Sequence, residues 1–130
     1  MVGLFTLTIA IDGISSAALA LSDERLNQQL LKLDPETRLE QTCDTEVMFR
    51  INHDANKFEV DKVIAYAFGD STSSGNSFNA PGAVFRSRGQ WYHLKYMCQT
   101  GPRHLDAHKL TYEIGPVVPR SEWSEHYLYD

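Results

Sequence analysis

Apolar and polar residues alternate with a period of two along residues 90–99, and the rest of the chain is organised around this stretch. In QWYHLKYMCQ, Tyr92, Leu94, Tyr96 and Cys98 share one face, and Trp91, His93, Lys95 and Met97 take the other, because successive strand side chains point to opposite sides. The first set is apolar and the second mixed, the pattern of a half-buried antiparallel strand. Arg88-Gly89 predicts a hairpin turn that joins it to a first arm over 83–87. Upstream the period becomes helical. Leu39, Cys43, Val47 and Ile51 recur every fourth residue, Met48 widens the stripe, and Arg38, Glu40, Asp44 and Glu46 lie mostly off it. Asp34 can cap, Pro35 suits the first helical position, and Glu36 opposes the dipole, so a helix is expected over 35–52.

Weaker signals fill in the remainder. Ser22 as N-cap and the leucines 26, 30 and 33 predict a short helix over 22–33 that lays a stripe on the core. The latter half of 57–68 reads as a strand, and the serine-rich 69–76 as a flexible loop. Residues 77–79 form a short strand before a turn at Ala80-Pro81-Gly82. A further strand is expected over 105–114, with His108, Leu110, Tyr112 and Ile114 on one face, ended by Gly115-Pro116. Ser121 can cap a final short helix whose Trp123 and Tyr127 close over the core. The expected fold class is α+β: an antiparallel sheet of three to four strands packed against a long N-terminal helix, with a short C-terminal helix.

Composition alters this picture mainly at the N-terminus. Residues 1–20 hold no Lys or Arg, an apolar run from Leu4 to Ile11, and Ala18-Leu19-Ala20 in the small-x-small pattern of a secretion signal. The expected division is a signal peptide over 1–20 and a single α+β domain over 21–130, which places the protein in the periplasm or outside the cell. The alternatives are a buried N-terminal segment and a membrane anchor, for which the apolar run falls short of the ~20 residues of a spanning helix. Cleavage would leave all 12 basic residues and remove one of 17 acids, Asp12, moving the formal charge from −5 to −4. An acidic chain is a poor ligand for nucleic acid, which binds basic surfaces, and it lacks a polybasic membrane patch.

Cys43 falls on the apolar face of a helix and Cys98 on the apolar face of a strand, so both point into one core. Behind a signal peptide the pair is expected as a disulfide, worth on the order of 4 kcal/mol in the chain-entropy model; in a cytosolic protein they would be two reduced core thiols. Arg86 and Arg88 alternate on one face of the first hairpin arm and can either clamp an anion or pair with Glu40, Asp44 or Glu46 of the long helix, the structural pairing being favoured. His104, Asp106 and His108 share a face if extended, a valid ligand set for a divalent metal, but polar residues at the wet end of a strand are the blander explanation. Glu40, Asp44, His93 and Tyr66 could assemble for acid–base work, although no spacing demands it. GxSxG, a P-loop, GxGxxG and HExxH are absent.

Several of these stretches resemble a known family. Residues 33–41, LDPETRLEQ, with Cys43-Asp44, resemble the opening of the domain-of-unknown-function family numbered 930. Residues 65–68 (AYAF), 80–89 (APGAVFRSRG) and Trp91-Tyr92 are similar to its middle, and Tyr96, Cys98, Tyr112, Ile114-Gly115, Pro119, Trp123 and Leu128-Tyr129 to its end. The resemblance implies an exported bacterial protein and supplies no activity or catalytic residues. The expected function is a non-enzymatic binding or envelope-accessory module without a cofactor. Its contact patch is expected around Arg86, Arg88 and Tyr66, for a protein or small-molecule partner, and it neither spans the membrane nor binds nucleic acid. The alternative is a small hydrolytic or metal-dependent enzyme that uses His93 or the His104/Asp106/His108 cluster.

Overall fold

The computed structural model describes residues 24–55 and 57–130. The expected signal peptide therefore lies outside the described residues, as does the Ser22 cap. Helix α1 spans Glu24–Leu30 and helix α2 spans Pro35–Asp54. Strands follow at Val60–Ile64 (β1), Thr72–Ser74 (β2), Ser77–Ser87 (β3), Gln90–Thr100 (β4) and Ala107–Val117 (β5). They form one antiparallel sheet in the order β1-β3-β4-β5, with β2 also paired to β3. The α+β class is as expected, but the sheet has five strands where three to four were expected.

The differences have local causes. Ala80-Pro81-Gly82 does not end a strand. It is a bulge inside β3 that shifts the register between Ala80 and Ala83 while keeping both alanines on the inner face. Gly82 is needed there because a Cβ would run into the backbone of Phe68 and Gly69, which cross close above it. Within 69–76, expected as a loop, β2 pairs with the start of β3 around a turn with Gly75 at φ 59°. β1 occupies the middle of 57–68, and residues 65–68 turn away from it. β5 begins later than expected and runs through Gly115-Pro116, since proline at an edge strand forfeits no ladder bond on its free side. The expected C-terminal helix is two single 3₁₀ turns, Arg120–Glu122 and Ser124–His126, and Ser121 lies inside the first and does not cap it. Trp123 is buried, but Tyr127, in the left-handed conformation, projects into solvent.

The inner face of the sheet packs on α2. Leu39, Cys43, Val47 and Ile51 meet Phe85, Leu94, Tyr96 and Cys98, with the Phe58, Phe85 and Tyr92 rings in mutual contact at 5.1–5.2 Å. Cys43 and Cys98 are joined by a disulfide with Cα atoms 5.9 Å apart, so helix and central strand are covalently stapled. Asp34 stands at the N-cap of α2 without a side-chain cap bond; Arg38 instead ties the helix to the Leu30, Leu33 and Arg103 carbonyls. Among the described residues no helix is long and apolar enough to cross a membrane.

Candidate functional site

The outward face of the sheet is divided in two. At one end Trp91 packs with Val84, Val118, Trp123 and Leu128, because the chain after β5 folds back across it. Polar ends of the rings are satisfied as this segment closes: Trp91 Nε1 donates to the Tyr129 carbonyl at 2.8 Å and Trp123 Nε1 to the Val118 carbonyl at 3.0 Å. His126 Nδ1 donates to the Ala67 carbonyl at 2.9 Å, and its ring stacks on Phe68 at 3.7 Å. Phe68 then leans on His93 at 4.5 Å, and the covering layer ends there.

Beyond His93 the same face is open. Met97 is 60% exposed although β4 is flanked by strands on both sides. Asn79 and Thr111 stand beside it in register, Ser77 and Lys109 flank Gln99, and Glu113 stands beside Lys95. The concavity over this region measures about 390 Å³ and is lined by Ser77, Asn79, Met97, Gln99, Lys109 and Thr111. A second hollow of about 300 Å³ continues past Met97 to Lys95, Pro81 and Glu113. Together they make a shallow trough with an apolar thioether at its centre and amides, hydroxyls, two lysines and the Glu113 carboxylate around it. Flexible, polarizable methionine suits a surface that adapts to another molecule.

The helix packed on the inner face carries acids. Tyr96 donates from its hydroxyl to Asp44 Oδ1, and both groups are buried. Burial drives the Asp44 carboxyl up to about 7, the Tyr96 hydrogen bond opposing and the nearby Glu40 reinforcing the shift. Tyr96 is itself held far above the phenol range by burial and by Asp44. Glu46 is fully buried, its oxygens without a hydrogen bond and its nearest cation, Arg50, 4.0 Å away. Burial raises it to about 7 as well, with Arg50 acting in the opposite sense. Glu40, raised by partial burial, borders a polar cleft of about 250 Å³ together with Glu36, Thr37, Ser71, Thr72 and Ser73. Asp44 does not line that cleft. Helical periodicity put Asp44 and Glu46 off the buried stripe. Their partners, Tyr96 for one and a packed interior for the other, are set by tertiary contacts that leave no local trace.

The residues singled out from sequence fall in separate places. Arg86 and Arg88 are paired, as favoured, but with β1 and its approach and not with α2: Arg86 forms a bidentate pair with Asp61 at 2.9 and 3.2 Å, and Arg88 reaches Glu59 at 3.2 Å. Arg86 also lies over the Trp91 and Tyr129 rings and so belongs to the covered half. Tyr66 is exposed beyond the far end of β1, so the three do not converge. His104 sits in the loop before β5 at φ 59°, with Nδ1 donating to the Pro35 carbonyl at 2.8 Å and Nε2 3.1 Å from Asn76 Oδ1. Asp106 faces Arg103 at 3.8 Å, and the His108 ring lies against Gly101. Among the described residues no group of three His, Cys, Asp or Glu side chains is gathered as a metal site. The outward trough was not singled out from sequence. Its one signal was Met97 on the mixed face of β4, and alternation alone does not say whether such a face is covered.

Residues 30–128 match the family model described as Domain of Unknown Function (DUF930). No curated protein and no solved structure matches the chain.

Proposed function

The chain belongs to the DUF930 family, whose description carries no activity, and from the sheet's geometry we propose that it is an exported, non-enzymatic binding module of the cell envelope. Its contact surface is the open trough centred on Met97, in place of the expected patch at Arg86, Arg88 and Tyr66, whose two arginines are already paired. The partner is a protein that sets an apolar side chain on Met97 and a carboxylate near Lys109, since Lys95 already stands beside Glu113. The observation that carries this reading is a large apolar side chain left exposed at the middle of a sheet whose other end the chain covers, since such patches mark interaction sites. Export is supported by Ala18-Leu19-Ala20 and by the Cys43–Cys98 bond, which suits an oxidising compartment. The enzymatic alternative has less support, because His104, Asp106 and His108 do not converge.

The test is a photoreactive residue in place of Met97, irradiated in the source cells. One discrete adduct with an envelope protein is expected, competed away by excess unlabelled protein but not by a Lys95→Glu/Lys109→Glu variant. Adducts that resist competition, or that form equally from position Arg88, would refute the assignment.

A further inference from the structure

The two edges of the sheet are unlike. β1 closes one edge with five residues, a bulge between Val60 and Lys62, and Asp61 engaged by Arg86. Short, bulged, charged edges resist pairing with another chain. β5 forms the other edge with 11 residues, and its register to β4 is unbroken from Lys109 to Ile114. Among the described residues no strand pairs with its outer side. The side chains point the same way. Leu110, Tyr112 and Ile114 face the core but are only partly buried, whereas Leu94, Tyr96 and Cys98 on the neighbouring strand are buried. One more strand with apolar inner positions would complete the layer.

From this we propose that the β5 edge is a self-association site, pairing antiparallel with β5 of a second copy about a two-fold axis through Thr111. The sequence of β5 selects that occupant and that register. A two-fold at Thr111 sets Lys109 opposite Glu113 of the other copy, twice, on the exposed face. It also sets Leu110 opposite Tyr112, twice, on the inner face. Opposite charges and apolar pairs directly across an antiparallel ladder are stabilising. A two-fold at Leu110 or Tyr112 loses both charge pairs, and a shift by one residue would mix the faces. The assembly joins the two sheets into one and brings the two Met97 troughs side by side, with their centres roughly 14 Å apart at three strand spacings. Lys109, Thr111 and Glu113 also line the trough proposed above, so the self-association is tested on the purified chain alone, where no envelope partner is present.

The experiment is a dilution series of the full chain by light scattering after size exclusion. Wild type is expected to form a dimer. Lys109→Glu alone and Glu113→Lys alone each turn two attractive pairs into two repulsive ones and should raise the dissociation constant about tenfold or more. The double swap Lys109→Glu/Glu113→Lys restores the pairs and should return the constant to within about threefold of wild type. A Thr111→Cys variant provides a second readout that leaves the charges untouched. Residues paired across a ladder lie roughly 4.5–5.5 Å apart at Cα, within disulfide reach, so mild oxidation should give a covalent dimer. A monomer at every concentration without that cross-link overturns the proposal. So does a dimer that ignores the single reversals.

Discussion

Trp91 and Met97 lie on the same face of the same strand, yet Trp91 is 0% exposed and Met97 60%. The difference lies in what crosses above them. After β5 the chain turns back over the Trp91 end and lays down Val118, Trp123 and Leu128, with Phe68 and His126 as its margin. Nothing among the described residues does this for Met97. On the inner face the Phe58, Phe85 and Tyr92 rings pack under the Trp91 end, while Phe78, Tyr96, Asp44 and the disulfide lie under the Met97 end. One half of the sheet is a two-sided core that stabilises the fold. The other half, among the described residues, has a core on one side only.

The largest effect should come from removing the covered half's anchor. Trp91→Ala creates a cavity in a closed layer and strands the Tyr129 carbonyl, so unfolding in denaturant should show a loss of about 3–5 kcal/mol. Gly82→Ala attacks the boundary. The new Cβ pushes on the backbone at Phe68 and Gly69, and Phe68 is the last ring of the covering layer. A cost of about 1–3 kcal/mol is expected, with faster hydrogen exchange at the Phe68 amide, which donates to the Gly82 carbonyl at 2.8 Å.

The next effect acts on the buried acids of α2. Asp44 and Glu46 titrate near 3.8 and 4.5 when unfolded and are raised to about 7 in the fold. The folded chain therefore holds protons that the unfolded chain releases. The stability these two groups contribute is fully present below about pH 4 and is lost as the pH rises from there through about 7. Asp44→Asn keeps an acceptor for Tyr96 and cannot ionise, so denaturation midpoints measured across this range should show a shallower slope. An unchanged slope would mean that Asp44 does not titrate as its burial dictates.

The local half of this organisation was legible in the sequence. Asp34-Pro35-Glu36 marked the start of α2, the Leu39-Cys43-Val47-Ile51 stripe marked its buried face, and alternation in β4 sorted Leu94, Tyr96 and Cys98 inward. The two stripes placed both cysteines in one core, and their pairing, expected only on the further premise of export, is present. What escaped was set by partners distant in the chain. Asp44 is buried because Tyr96, 52 residues away, offers its hydroxyl. Arg86 and Arg88 chose Asp61 and Glu59 because β1, not α2, lies beside β3 on that side. β2 is a short strand exposed throughout, and its Ser and Thr residues carry no apolar period to read. The trough itself is defined by where the C-terminal segment stops, which no residue of β4 encodes.

The smallest expected effect is the most telling. Met97→Ala should leave the unfolding free energy within about 0.5 kcal/mol of wild type, as for a surface residue that nothing among the described residues covers. A loss of 2 kcal/mol or more would mean that the chain itself covers this end of the sheet, and the open half would not be available to another molecule.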